Sequence, residues 1–139
     1  MKKIFVTRRL LKENEDKLKE LFDVTLNTND KIYKPEEIIE QSKGFDGILS
    51  SVTDPINAET ISKLSDSIKI IANGAVGFGN IDIEAARKKN ITVTNTPDVL
   101  TDATADIQIL LLLGASRKAY EGRLAADRHD WKWSWAVVR

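Results

Sequence analysis

Short apolar, β-branched runs alternate along the chain with longer amphipathic segments. Five short runs have the composition of buried β-strands and occupy residues 3–7, 23–27, 47–50, 68–72 and 91–94. Amphipathic segments separate them and are predicted as helices at residues 10–22, 35–42, 58–65 and 81–89. Strands that alternate with helices form a mostly parallel sheet, and right-handed crossovers place the helices on its faces. The pattern predicts an α/β fold with a doubly wound, five-stranded parallel sheet.

Two helix starts carry their own signals. Pro35 suits a first helical position, where its missing N–H is not needed. Asn57 can cap the next helix while Ile56 and Ile61 pack across the cap. These two boundaries are therefore better defined than the others.

A longer helix is predicted from Thr101 to about Tyr120, with Thr101 or Asp102 as its cap. Its centre, residues 107–113, is apolar almost all round, and such a helix needs burial on more than one side. We expect three parts: a domain at residues 1–100, a linking helix at 101–120 and a tryptophan-rich arm at 121–139.

Composition narrows the classes of function. A chain of 139 residues with 42% hydrophobic content suffices for one compact domain. Its 21 basic and 21 acidic residues cancel, so neither nucleic acid nor a membrane surface is expected as a partner. The absence of cysteine excludes disulfides, thiolate metal sites and a cysteine nucleophile, and no other metal site is expected. No apolar run reaches the roughly 18 residues of a membrane span, so we expect a soluble, cytoplasmic protein.

Ligands of an open parallel sheet bind beyond the carboxyl ends of its strands. The loop after the fourth predicted strand is the most informative, because residues 73–80 read Asn-Gly-Ala-Val-Gly-Phe-Gly-Asn. Its glycines permit backbone conformations closed to other residues and let a ligand approach the main chain. The following helix start offers unpaired N–H groups that can hold a carboxylate or phosphate. A tight turn that needs glycine for geometry alone is the alternative, and the local sequence does not separate the two.

The glycine spacing argues against a dinucleotide-binding loop. Gly77 and Gly79 would require a third glycine at position 82, which is Asp82, and a carboxylate there would repel a pyrophosphate. A receiver domain needs an acidic pair after its first strand and a flavodoxin needs a hydroxyl-rich phosphate loop there. Residues 7–9 are Thr-Arg-Arg, which disfavours both.

Four segments of the chain together resemble the D-2-hydroxyacid dehydrogenase family: residues 68–82, 85–87, 91–97 and 99–106. The resemblance is closest to glyoxylate/hydroxypyruvate reductases. It implies a flavodoxin-like substrate-binding domain, into which the family inserts a Rossmann domain for NAD or NADP. The family reaction is hydride transfer between the nicotinamide and a 2-oxo acid. The family's catalytic arginine, acidic residue and histidine follow later than Arg139. We therefore expect a truncated, substrate-binding part with no catalytic residue of its own, inactive alone.

The resemblance also implies roles for single residues. The backbone amides of Val76 and Gly77 would hold the substrate carboxylate, and Asn73 and Gly74 would line the same pocket. This agrees with the anion site that the glycine-rich loop suggests.

Further positions match the family outside that loop. Ser51 and Val52 fall in the loop that closes the other side of the substrate. Thr104 matches a position facing the nicotinamide, and Leu100 would border the same cleft. Asn90 replaces the family's glycine before the fifth strand, which is a mild departure because asparagine tolerates left-handed geometry.

Trp131, Trp133 and Trp135 fall where glyoxylate/hydroxypyruvate reductases carry tryptophans that reach toward the partner subunit's active site. Simple interface packing is the alternative for them. Together with the apolar helix around Leu110 and Leu113, they predict a homodimer or higher homo-oligomer, since a lone domain would expose a large apolar patch.

Two other hypotheses stay open. The chain could be a non-catalytic module that binds small carboxylates or assembles with itself, or an excised domain without a function of its own. Its single histidine, His129, lies outside any matching catalytic context and is expected to be a surface residue.

Overall fold

Five parallel strands form one sheet in the order β2-β1-β3-β4-β5. The computed structural model describes residues 1–130, of which Met1–Val99 form one compact unit and a second unit begins at Leu100. The strands are β1 (Lys3–Val6), β2 (Asp23–Thr25), β3 (Gly47–Ser50), β4 (Ile70–Asn73) and β5 (Thr92–Thr94). The predicted α/β fold with its five-stranded parallel sheet is confirmed, and this strand order is the flavodoxin-like one.

Four helices connect the strands: α1 (Lys12–Leu21), α2 (Pro35–Gln41), α3 (Ala58–Lys63) and α4 (Ile83–Lys88). The strand order reverses between β1 and β3, so right-handed crossovers place α1 on one face and the other three helices on the opposite face. The core consists mainly of isoleucines, and Phe5 packs within it against Tyr33 and Phe45 at ring-centroid distances of 5.6 and 5.8 Å.

The two predicted helix starts are confirmed. Pro35 is the first residue of α2, and the Asn57 side chain caps α3 by accepting the Thr60 N–H at 2.9 Å. Ile56 and Ile61, on either side of that cap, are both buried in the core.

The second unit contains α5 (Thr101–Ser116) and α6 (Ala119–Asp127). The predicted cap at Thr101 or Asp102 is wrong, because Leu100 occupies the cap position without a side-chain hydrogen bond. The predicted end near Tyr120 is also wrong. Lys118 adopts a left-handed conformation (φ 50°), which ends the helical hydrogen-bond ladder and starts α6.

The apolar centre of α5 is exposed in this chain. Ile107, Ile109 and residues 110–113 are each more than half exposed. No helix within residues 1–130 is long and apolar enough to cross a membrane. The predicted interface residues Trp131, Trp133 and Trp135 lie outside the described residues.

Candidate functional site

Two loops leave the carboxyl edge of the sheet side by side. Ser50, the last residue of β3, pairs with Asn73, the last residue of β4. The Gly74 N–H donates to the Ser50 carbonyl at 2.8 Å, so the two chains stay in contact beyond the strands. This edge adjoins the reversal of strand order between β1 and β3, where ligands of such sheets bind. The loops at residues 51–54 and 74–79 form the candidate site.

Three consecutive carbonyl groups of the glycine-rich loop, those of residues 75–77, are held by hydrogen bonds. The first accepts the N–H of Thr96 at 2.9 Å. The second accepts from Nδ2 of Asn95 at 2.8 Å, and the third from Nδ2 of Asn73 at 2.9 Å. Because a trans peptide is planar and its N–H points opposite to its C=O, holding a carbonyl also fixes the direction of the next residue's N–H.

The N–H groups fixed in this way include those of Val76 and Gly77. Neither donates to any acceptor within residues 1–130, and both residues are exposed. Two adjacent backbone donors on a held loop are suited to a carboxylate or another small anion. The structure thus leaves unpaired the same two amides to which the family resemblance assigns the substrate carboxylate.

None of the three glycines of this loop has a positive φ, and one of them is needed for close packing. The expectation of special conformations at Gly74, Gly77 and Gly79 is wrong, since Gly44 is the one glycine with positive φ in the described part of the chain. A Cβ on Gly74 would lie 3.3 Å from the Ser50 carbonyl, so this glycine allows close packing of the two loops. A Cβ on Gly77 or Gly79 would meet nothing within 4 Å.

The start of α4 carries a cap from its own chain. Asp82 caps this helix, and its carboxylate accepts the Ala85 N–H at 2.8 Å. The helix is only six residues long, and its cap engages one of the N–H groups of its first turn. The anion site at this helix start therefore stays a prediction, and the preceding loop offers the unpaired N–H groups of Val76 and Gly77 beside it.

Asn73 supports the loop from inside. Its side chain is 2% exposed, accepts from the Ser50 hydroxyl at 3.1 Å and donates to the Gly77 carbonyl and to Oδ1 of Asn80. All of its side-chain hydrogen-bonding groups are therefore engaged within the protein. Sequence reasoning assigned Asn73 to the pocket lining and did not find the supporting Asn80 and Asn95.

Asn80 joins the two loops. Its Nδ2 donates to the Ser51 carbonyl at 3.0 Å and the Asp54 carbonyl at 3.1 Å, while its Oδ1 accepts from Asn73 at 3.1 Å. The backbone adds a second connection, an isolated parallel bridge between Ile56 and Ile81. The signal that could have revealed Asn80 is its place at the end of the glycine-rich loop.

The loop at residues 51–54 folds around a buried carboxylate. Asp54 is fully buried, and its Oδ2 accepts both the Thr7 hydroxyl at 2.5 Å and the Ser51 N–H at 2.7 Å. Its Oδ1 is buried without a hydrogen-bond partner among the residues described. Ser51 is left half-buried and Val52 is 58% exposed, so these two predicted site residues lie beside the glycine-rich loop at the protein surface.

Arg8, which follows β1, also holds the loop at residues 51–54 in place. Its guanidinium binds both carboxylate oxygens of Asp30 at 2.8 and 2.9 Å and donates to the Thr53 hydroxyl at 2.8 Å. The Arg8 hydrogen bonds, with a further bond from the Arg9 N–H, hold the pKa of the Asp30 carboxyl well below its usual range. The first strand thus fixes the loop through Thr7 and Arg8.

The remaining predicted residues of the described chain lie in the second unit. The Thr104 N–H donates to the Leu100 carbonyl at 2.9 Å in the first turn of α5, and both residues are exposed. His129, at the end of α6, is exposed as expected. No group of three or more potential metal ligands occurs within residues 1–130.

Comparison with known proteins adds the family. The family model for the catalytic domain of D-isomer specific 2-hydroxyacid dehydrogenases matches residues 4–125. The glyoxylate reductase of Korarchaeum cryptofilum is 38% identical over 133 residues, which cover 96% of this chain and 40% of that protein. That of Pyrococcus horikoshii is 37% identical over 130 residues, covering 94% of this chain and 39% of the relative.

A solved structure from Polaromonas sp., assigned as an NAD-binding D-isomer specific 2-hydroxyacid dehydrogenase, is 36% identical with a TM-score of 0.88. It covers 100% of this chain, which matches 44% of that structure. The chain spans about 40% of the length of the curated relatives it matches. By sequence and by fold, this chain belongs to the D-isomer specific 2-hydroxyacid dehydrogenase family.

Proposed function

We propose that this chain is the substrate-binding part of an NAD(P)-dependent 2-hydroxyacid dehydrogenase that reduces glyoxylate or hydroxypyruvate. The observation that carries the proposal is the pair of unpaired N–H groups at Val76 and Gly77, on a loop in which the carbonyls of residues 75–77 are held by hydrogen bonds. The names of the relatives, glyoxylate reductases, support the choice of substrate.

The two amides bind the carboxylate that every 2-oxo acid carries. A hydrogen bond from a backbone N–H to a charged group contributes about 1.5–3 kcal/mol, and the carboxylate needs such donors to replace the water it loses. Ser51 and Val52 close the other side of the substrate. In this proposal the loops orient the 2-oxo acid and leave its carbonyl carbon open to hydride transfer.

The glycine-rich loop does not fit a dinucleotide. The carboxylate of Asp82 occupies the start of α4, where a pyrophosphate would otherwise bind. NAD or NADP is therefore held by other residues of the complete protein, with Thr104 and Leu100 bordering its nicotinamide end. His129 is the one histidine of the chain and is exposed, so the proton donor also lies elsewhere, and we expect the chain to be inactive alone.

Titration of the isotope-labelled, 139-residue chain with oxalate tests the carboxylate site. We expect millimolar affinity from two such hydrogen bonds, with the largest shifts at the amides of Val76 and Gly77. Glycolamide, which lacks the charge, serves as the control and should cause no such shifts. Shifts centred on other residues, or none, would contradict the proposed site.

An assay of NADH and NADPH oxidation with glyoxylate tests the enzymatic part. The complete protein should turn over and this chain should not. Turnover by the chain alone would overturn its assignment as a substrate-binding part. If the complete protein reduces neither glyoxylate nor hydroxypyruvate, the substrate assignment is overturned.

Self-association is a second candidate property, favoured by the exposed apolar residues of α5. Leu110 and Leu113 are three apart and share one helix face, which suits contact with another copy of the chain. Light scattering should show a dimer or larger species, and the double substitution Leu110→Lys with Leu113→Lys should give monomers. A monomeric unmodified chain at high concentration would contradict this proposal.

A further inference from the structure

We propose that Asn95 is a positioning residue that fixes the peptide between Val76 and Gly77, so that its N–H and not its C=O faces the substrate carboxylate. The inference rests on the proposed function of the glycine-rich loop and deepens it. Its basis is a single hydrogen bond, from Nδ2 of Asn95 to the Val76 carbonyl at 2.8 Å.

This peptide is able to turn over because it precedes a glycine. Rotating a peptide by half a turn exchanges the directions of its C=O and N–H, and the product requires positive φ at the residue that follows. Glycine adopts positive φ without steric cost, so a peptide before Gly77 flips far more easily than one before a residue with a Cβ. In this structure Gly77 does not have positive φ, and the peptide is in the unflipped state.

The two orientations have opposite consequences for an anion. Unflipped, the peptide contributes the Gly77 N–H as a donor. Flipped, it would present the partial negative charge of the Val76 oxygen to the carboxylate. The Asn95 amide is the one donor to this carbonyl among the described residues, so its hydrogen bond selects the orientation that binds.

The backbone holds Asn95 in position independently of its side-chain hydrogen bond to the Val76 carbonyl. It follows β5 directly, and the next residue, Thr96, donates its N–H to the Ala75 carbonyl at 2.9 Å. That backbone bond remains when the Asn95 side chain is truncated. Loss of the amide should therefore release one peptide without displacing the segment that carries it.

The test compares the unmodified chain with Asn95→Ala in the oxalate titration. Loss of a hydrogen bond worth about 1 kcal/mol increases the population of the flipped form. Affinity for oxalate falls in proportion to the fraction of chains in which the peptide stays unflipped. We expect oxalate binding to weaken by up to about fivefold, because 1 kcal/mol corresponds to a factor of about five. Without ligand, the chemical shifts of the Val76 carbonyl carbon and the Gly77 nitrogen should change, and coupling constants should show positive φ at Gly77.

The matched control is Asn57→Ala, which removes the cap of α3 and touches neither loop. It should lower stability while leaving oxalate affinity and the Gly77 coupling constants unchanged. Equal affinity and equal Gly77 geometry in the unmodified chain and Asn95→Ala would overturn this inference alone. Absence of binding by the unmodified chain would instead overturn the proposed function on which it rests.

Discussion

The hydroxyl of Thr7 donates to the carboxylate of Asp54 at 2.5 Å, and both residues are completely buried. This bond joins the end of β1 to the loop that follows β3. Thr7→Val keeps the shape of the side chain but leaves the buried carboxylate short of a donor, so we expect the free energy of unfolding to fall by about 2 kcal/mol. Urea denaturation measures the change.

Thr7→Ser is the control for this prediction, because it keeps the hydroxyl and loses one methyl group. It should reduce stability by about 0.8 kcal/mol. If Thr7→Val is as stable as the unmodified chain, the hydrogen bond to Asp54 does not support the loop.

The glycine at position 77 should matter to ligands and not to folding. A Cβ there meets nothing in the protein and φ is not positive, so Gly77→Ala should leave stability unchanged or raise it by about 0.5 kcal/mol. The new methyl group would lie beside the unpaired N–H of its own residue, so we expect it to crowd the anion and weaken oxalate binding. Calorimetry with oxalate and thermal denaturation provide the two measurements.

Gly79→Ala is the matched variant, since it lies in the same loop and its Cβ would also be uncontacted. It should retain oxalate binding. If Gly77→Ala binds oxalate as well as the unmodified chain does, glycine at 77 is not reserved for approach of a ligand.

Asn90 has a φ of 57°, as its replacement of the family's glycine led us to expect. Asn90→Ala should cost about 1 kcal/mol, because alanine in the left-handed region brings its Cβ against the carbonyl oxygen. Asn90→Gly should be neutral to within a few tenths of a kcal/mol. Chemical denaturation of both variants tests whether Asn90→Gly is more stable than Asn90→Ala. Asn90→Ala would be the more stable of the two if φ were negative at this position.

Acid should weaken the attachment between Arg8 and Asp30. The pKa of the folded Asp30 carboxyl lies below its ordinary value of about 3.9, so the unfolded chain binds more protons between the two values. The stabilisation is therefore present above about pH 4 and is lost as pH falls toward the folded value.

Comparison of the unmodified chain with Asp30→Asn isolates this contribution. The stability difference between them should be largest near pH 6 and should shrink steadily below about pH 4. A difference that stays constant from pH 6 to pH 2 would show that the carboxylate is not stabilised by Arg8.

The fold followed from the sequence because the relevant signals are local. β-branched runs and helical periodicity fix which segments are strands and helices, and Pro35 and Asn57 mark two helix starts. The end of α5 escaped prediction because Lys118 has a left-handed backbone without the glycine or asparagine that usually signals one. Asp82 was interpreted only as a repulsive charge, since its capping role depends on the helix starting at Ile83 and not at residue 81 as predicted.

The candidate site was predicted only in part. Val76 and Gly77 followed from the family resemblance, and the loop from its glycines. The residues that hold the loop did not follow, because their bonds join distant parts of the chain: Asn95 lies 19 positions from Val76, and Asn80 lies 29 from Ser51. Such bonds depend on how neighbouring strands align, and local sequence does not encode that alignment.

The glycine-rich loop, residues 73–80, contains only glycine, alanine, valine, phenylalanine and asparagine, and therefore no side chain that gains or loses a proton. In the proposed function its attraction for an anion comes from peptide dipoles, whose strength is the same in acid and in base. The loop therefore contains no group whose protonation would change its affinity for an anion. In the proposed function, carboxylate binding by this loop is therefore independent of any protonation within the loop itself.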